Sequence, residues 1–266
     1  MGLIDFSAFV NDLATHSGKA ILPFFRTAMS IQDKNLPSSV PGAVFDPVTE
    51  ADRAGESAMR HLIKRHFPTH GIVGEEFGDE NADAEYVWVL DPIDGTRAFM
   101  AGLPLWGTLI GLTRNGKPAF GMMHQPFTGE RFSGDGGAAL YRGPGGERKL
   151  RARPSASIAD ATITTTSPRL FKDEALPAFE RVEAAARMTR FGCDCYAYSM
   201  LAAGHVDLVV EDGLQPYDIV AMIPIIEGAG GIVTSWDGGD AAKGGSVLAA
   251  GDRRVHEEAM KLLARG

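Results

Sequence analysis

Apolar side chains at the start of the chain recur at three- and four-residue steps. Leu3, Phe6, Val10, Leu13, Ala20, Ile21 and Phe24 follow the period of an amphipathic helix, which predicts one over residues 3–25 with Pro23 near its end. Pro37, Pro41, Gly42 and Pro47 then break the pattern, so residues 27–48 read as one long loop. Loops of that length in compact proteins are mostly functional. Periodicity resumes with Ala54, Met59, Leu62 and Ile63, predicting a helix over 49–67 with Thr49 as its N-cap.

Short apolar runs follow at 71–74, 86–90, 106–114 and 118–125, each of strand length, and Asn115-Gly116 between the last two is a hairpin signal. The segment from Gly134 to Gly146 reads as turns. Beyond it, strand and helix patterns alternate. Strands are expected at 161–166, 188–191, 206–211, 231–236 and 246–250. Helices are expected within 173–187, at 196–203, at 216–228 and at the C-terminal end. Such alternation argues α/β layering, with no internal repeat. The whole chain, 1–266, is read as one domain with two sub-regions, about 1–146 and 147–266.

Composition narrows the classes. With 26 basic against 34 acidic residues the formal charge is −8, which argues against a general nucleic-acid binder, because that affinity comes from clustered cations and counterion release. The one basic cluster, Arg148, Lys149, Arg151 and Arg153, reads as a solvated edge, with an interaction patch as the alternative. A chain of this length buries roughly 75% of its unfolded surface and needs no staple to fold. Cys193 and Cys195 are too few for a disulfide scaffold and too close for an easy bridge, so buried thiols in a reducing cytoplasm are expected. No run reaches the ~20 apolar residues of a membrane span, and Phe6 stands where a myristoylation signal needs Ser or Thr. Glycine, 32 of 266, exceeds the usual share of about 7%, implying many turns and close backbone approaches.

The densest chemistry lies in Trp88-Val-Leu-Asp-Pro-Ile-Asp-Gly-Thr-Arg97. An apolar strand ends in Asp91, Pro92 turns the chain, and Asp94-Gly95-Thr96 opens a short helix. Two carboxylates would thus meet the backbone N–H groups of Gly95 and Thr96 at the mouth of a sheet. Carboxylates there suit a hard cation such as Mg²⁺, and a helix N-terminus suits phosphate. Glu75-Glu76 also follows an apolar strand, and Asp218 stands where an apolar helix begins, with Glu211 seven residues before it. Acids at several strand ends are what a shared crevice at the carboxyl edge of a sheet needs. Taken singly, each has a plainer reading: a capped loop, solvated charge, or a helix-dipole partner. No nucleophile elbow, Walker loop or dinucleotide fingerprint competes, and the His66/His70 pair is interrupted by Pro68 and reads as two satisfied histidines.

The stretches Asp46-Pro-Val-Thr-Glu-Ala-Asp52, Gly74-Glu-Glu76, Trp88 to Thr96, Tyr217-Asp-Ile-Val-Ala221 and Glu227-Gly-Ala-Gly-Gly231, in that order, resemble the inositol monophosphatase family of Mg²⁺-dependent, lithium-sensitive phosphatases. The resemblance spans nearly the whole chain. It implies an α/β fold, a layered α/β/α/β/α sandwich of the inositol monophosphatase and fructose bisphosphatase type, with two or three Mg²⁺ ions. By position it makes Glu75, Asp91, the carbonyl of Ile93, Asp94 and Asp218 metal ligands, and Thr96 with Asp52 the pair that positions and deprotonates the attacking water. Gly95 and Thr96 then meet the phosphate, Glu75 belongs to the catalytic set, and Glu76 is left as a helper or a surface acid. A homodimer is the family's habit, and a soluble protein of the cytoplasm is expected from the sequence.

Within that family, Phe191-Gly-Cys-Asp-Cys-Tyr-Ala-Tyr198, Gly102-Leu-Pro-Leu-Trp-Gly107 and Gln215-Pro-Tyr-Asp218 look like the histidinol-phosphate phosphatase branch. Asp194 and Glu211, beside Gly192 and on the far side from the metals, would pair with the ammonium and imidazole of histidinol phosphate. The plainer alternative is that Asp194 caps the following helix. Hydrolysis of histidinol phosphate in histidine biosynthesis is therefore expected first, inositol monophosphate second and nucleotide or sugar bisphosphates third. Some relatives of this fold bind RNA-processing machinery, so an interaction protein is the reading from another class. One departure stands out: residues 35–45 lack the Lys that the family often carries there, and Lys34 lies farther back.

Overall fold

The computed structural model describes residues 6–27, 31–33 and 47–264. In chain order the elements are α1 (Ser7–Ile21), β1 (Ile31–Asp33), β2 (Pro47–Thr49), α2 (Glu50–His66), β3 (Gly71–Gly74), β4 (Tyr86–Asp94), α3 (Thr96–Met100), β5 (Gly107–Arg114), β6 (Lys117–Gln125) and β7 (Glu130–Gly134). There follow β8 (Ala139–Gly143), β9 (Gly146–Lys149), β10 (Thr162–Thr165), α4 (Ala175–Ala185), β11 (Met188–Phe191), α5 (Asp194–Ala202) and β12 (Leu208–Leu214). The chain closes with α6 (Pro216–Ile219), α7 (Met222–Gly228), β13 (Ile232–Ser235), β14 (Gly245–Ala250) and α8 (Arg253–Leu263).

Strands β3 to β9 form a seven-stranded sheet in sequence order, and the order of a second, five-stranded sheet is β11-β10-β12-β14-β13. In the larger sheet only β3 and β4 run parallel; every other neighbouring pair is antiparallel. One outer layer is α1 with α2, whose Val10, Leu13, Met59 and Ile63 pack on Trp88, Leu90 and Ile110. Helices α5 to α7 fill the space between the sheets, Leu201 and Ile225 meeting Leu109 and Phe132 on one side and Val209 and Val247 on the other. The opposite outer layer is α4 with α8, whose Phe179 and Val255 cover Leu208, Val210 and Leu248. Along β12, Val209 thus faces one core and its neighbours Leu208 and Val210 the other, the two-residue alternation of a strand buried on both faces. The result is the layered α/β/α/β/α sandwich. Among the described residues no helix is long and apolar enough to cross a membrane.

Several boundaries differ from the sequence reading. Residues 130–149 hold three short strands rather than turns only, because Ala139 and Tyr141 point inward while Leu140 and Arg142 point out, an alternation too brief to stand out among glycines. The 27–48 segment contains β1, paired antiparallel with β2, so it is not a single loop. The cap expected of Thr49 and the segment from 34 to 46, with Lys34 and the missing family Lys, lie outside the described residues. Strand β4 continues through Pro92 to Asp94, which a bulge in its pairing with β5 between Asp91 and Asp94 permits. The helix expected at 216–228 is two, α6 and α7. Edge strand β9 with Arg148 and Lys149 is exposed, as a solvated edge would be, whereas Arg153 forms an ion pair with the buried Asp207.

Part of the glycine excess has one cause. Gly111, Gly121 and Gly134 pair with one another across β5, β6 and β7 and form a transverse trough. A Cβ at Gly121 would stand 1.8 Å from the carbonyl oxygen of Ala221, and one at Gly134 would stand 2.4 Å from that of Pro224. The trough therefore seats the α6–α7 backbone directly on the sheet. Gly121→Ala must push that backbone away and is expected to lower the unfolding free energy by at least about 2 kcal/mol, read from the shift of the urea midpoint at unchanged slope.

Candidate active site

Parallel pairing of β3 and β4 aligns Gly74 with Leu90, so the residues that follow, Glu75 and Asp91, leave the same edge of the sheet. The amide of Glu75 donates to the Leu90 carbonyl at 3.3 Å, which ties the two ends together. Within the β4 bulge the Ile93 amide donates to Asp91 Oδ1 at 3.0 Å, and Thr108 Oγ1 holds the Pro92 carbonyl at 2.8 Å. Thr96 Oγ1 donates to the Ile93 carbonyl at 3.1 Å. Between them Gly95 has φ +89°, and a Cβ there would lie 3.0 Å from the Leu105 carbonyl oxygen, so only glycine suits this turn.

Asp218 arrives from the second sheet. After β12, Gln215 and Asp218 form a reciprocal capping box around Pro216, the Gln215 amide donating to Asp218 Oδ2 at 2.7 Å. Asp52 is buried on α2. One carboxylate oxygen from each of Asp91, Asp94 and Asp218 lies within 4.8 Å of the others. Burial, then Glu75, Asp94, Asp218 and Asp52 in that order, hold the Asp91 carboxyl well above the usual carboxylate range. Burial followed by Asp194 and Asp218 raises Asp94, opposed by a bond of 2.5 Å from the Cys195 amide to its Oδ2. Asp91, Asp94 and Asp218 therefore converge, and the charges of Glu75 and Asp52 act on Asp91.

Magnitude decides what such a cluster can do. Two full charges about 4.8 Å apart repel by roughly 3.5 kcal/mol at an effective dielectric of about 20. Three mutually adjacent carboxylates stay ionised near neutral pH only around a positive charge. The grouped donors of Asp91, Asp94 and Asp218 are all carboxylate oxygens. Oxygen donors of this kind fit a hard divalent ion that keeps some of its water.

The cluster opens into a cleft of about 480 Å³, lined among others by Glu75, Thr96, Asp194, Glu211 and Asp218. Arg97, Arg169 and Lys172 line it too. A larger hollow of about 620 Å³ lies by the outer end of α2 at Lys64, Phe67 and His70, away from these acids. There His70 Nδ1 takes the indole proton of Trp88 at 3.1 Å, so it is a satisfied histidine rather than a zinc ligand.

The N-cap of α5 is Cys193, and Asp194 is the first residue of the helix, at φ +44°. It is not remote from the grouped acids: a Cβ on Gly95 would stand 3.2 Å from that of Asp194, and Asp194 is among the charges that raise Asp94. The β11–α5 turn sets this position, since Gly192, at φ +79°, donates to the carbonyls of Thr165 and Thr166. Burial pushes the Asp194 carboxyl up to about 6 while Arg97 pulls it down. Glu211 is buried, accepts from Thr165 Oγ1 at 3.1 Å and from Thr166 N and Oγ1 at 2.6 and 2.9 Å, and is pushed up to about 8 by burial. Of the two thiols, Cys195 is buried and Cys193 only half so. The Glu76 side chain is 2% exposed, with Oε2 3.7 Å from Arg53, so it is not a surface acid.

Two residues near the site had no place in the sequence reading. Glu56 and Arg60, both buried on α2, hold the turn that carries Glu75. Their signal was present: Asp52, Glu56, Arg60 and Lys64 recur every four residues along one face. Apolar periodicity alone passes over such a stripe.

Comparison with known proteins places this geometry. The model of the inositol monophosphatase family matches residues 5–265. The chloroplastic bifunctional phosphatase IMPL2 of Arabidopsis thaliana is 43% identical over 97% of this chain and 75% of its own length. A histidinol-phosphatase of Chlorobaculum parvum is 30% identical over 96% and 95%. The solved structure of an inositol monophosphatase from Zymomonas mobilis superposes with a TM-score of 0.84 at 38% identity, covering 98% of this chain and 99% of that one.

Glu211 has its folded pKa near 8 against an ordinary 4.5, so it favours the folded state below about pH 4.5 and withdraws that support as pH rises through about 8. In chelator-treated protein, Glu211→Gln is expected to shrink the loss of stability between pH 5 and pH 8 relative to the parent, measured as urea midpoints at the two pH values.

Proposed function

As the chain belongs to the inositol monophosphatase family and is a phosphatase of that family, we propose that it hydrolyses histidinol phosphate, with Mg²⁺ as the activating ion. The observation that carries this reading is the pair Asp194 and Glu211, two carboxyl groups that line the same cleft as Glu75, Asp94 and Asp218. A cationic leaving group gains charge-assisted hydrogen bonds from such acids, which a neutral polyol does not. The Chlorobaculum relative, named a histidinol-phosphatase, supports the same direction.

Glu75, Asp91, the Ile93 carbonyl, Asp94 and Asp218 would hold two or three ions, which supply an activated hydroxide and charge stabilisation for an in-line displacement. Thr96 orients the attacking water by the lone pairs its hydroxyl keeps after donating to Ile93. Asp52 accepts the water's proton. Gly95 and Thr96 line the cleft beside the ligand acids, where the phosphoryl group rests. Asp194 and Glu211 receive the ammonium and imidazole of the leaving alcohol, with Gly192 shaping the turn before Asp194. The working unit in this reading is a homodimer, and lithium inhibits it.

Inositol monophosphate is the second reading, favoured by the close superposition on the Zymomonas enzyme. Arg97, beside Asp194, also leaves less of that acid's charge for an ammonium.

Asp94→Asn removes a full ligand charge and is expected to lower turnover by at least about two decades at saturating Mg²⁺, followed as phosphate release. Catalytic efficiency on histidinol phosphate is expected to exceed that on inositol monophosphate by at least about tenfold. A preference for the inositol ester would overturn the assignment of Asp194.

A further inference from the structure

We propose that Glu56 and Arg60 are positioning residues that set the metal affinity of the site by fixing the turn that carries Glu75. The inference rests on the reading of Glu75 as a metal ligand. Glu56 is fully buried, one helical turn beyond Asp52, and its two oxygens reach the turn after β3. Oε2 accepts from the Glu76 amide at 2.7 Å and Oε1 from the Phe77 amide at 3.3 Å. Arg60, one further turn along α2, donates from Nε to Glu56 Oε1 at 2.7 Å, from Nη1 to Glu80 Oε1 at 3.0 Å, and from Nη2 to the Gly78 carbonyl. Lys64 closes the row on Glu80 at 2.7 Å.

The turn from 75 to 80 is thus held at four residues by three side chains on one face of one helix, and the same face carries Asp52. Contact with the backbone is so close that a Cβ on Gly74 would stand 2.1 Å from Glu56 Oε1. Burying an ion pair costs solvation that apolar side chains of equal volume would not, so packing alone does not account for it. Its directional bonds end on the amide of Glu76 and on the residues after it. Glu75 itself is pinned on the other side by the Leu90 carbonyl. Loosening one of these two anchors leaves its carboxylate free to turn away from Asp91. Groups that orient ligands in this way govern metal affinity more than the chemical step.

The test compares Glu56→Gln and Glu75→Gln with the parent. Mg²⁺ and Mn²⁺ binding to metal-free protein is measured by calorimetry, alongside the Mg²⁺ dependence of phosphate release. Glu56→Gln is expected to raise the metal dissociation constant and the half-activating Mg²⁺ concentration at least about tenfold. Turnover at saturating Mg²⁺ should stay within about threefold of the parent, a split that a general loss of stability would not produce. If Glu56→Gln does not fold, Glu56→Gln with Arg60→Met, which leaves no stranded buried cation, carries the same expectation. Metal binding unchanged in the folded Glu56 variant but weakened by Glu75→Gln overturns the positioning role alone. Metal binding unchanged in Glu75→Gln overturns the ligand reading and the inference with it.

Discussion

Mutual repulsion among clustered carboxylates is the constraint on which the rest of this structure turns. Asp91, Asp94 and Asp218 could each be relieved by moving a few ångströms apart, and the fold prevents it from several sides. Parallel β3 and β4 deliver Glu75 and Asp91 to one edge, and the bulge through Pro92 brings Asp94 back to that edge. The capping box fixes Asp218 by one oxygen. Asp94 is tied by the Cys195 amide of the central helical layer. Such preorganisation leaves a cation as the natural way to relieve the charge, and it makes the site a property of two sheets rather than of one loop.

Most of the layered architecture was legible in the chain because the apolar runs at 86–90, 106–114 and 118–125 and the alternating pattern after 160 are long enough to show a period. What escaped was short or polar. Strands β7 to β9 hide among glycines because β7 and β8 each present only two buried positions and β9 presents none. The break between α6 and α7 has no proline or glycine at Val220-Ala221 to announce it. Strand β4 passes through a proline that ordinarily signals an end, and only the pairing with β5 shows how it is absorbed.

At the site, the acids that follow strand ends could be picked out because carboxylates at such places are chemically conspicuous. Their convergence was implied by resemblance, and distance could not be read from spacing. Asp194 illustrates the limit: local sequence suggested either a helix cap or a remote contact, and only the turn at Gly192, with its left-handed backbone, places it against Gly95. Glu56 and Arg60 illustrate another. Charged residues inside a helix read as a solvated face until the partner backbone is seen.

The glycine trough across β5, β6 and β7 reaches further than packing. It lets α6 and α7 lie on the larger sheet, while Asp218 at the head of that segment follows directly from a strand of the smaller one. An ion held between Asp218 and the β4 acids would therefore act as a bolt through the sandwich. Its binding free energy would add to the cohesion of the two sheets as well as to the occupancy of the cleft, so saturation with metal and resistance to unfolding would rise and fall together.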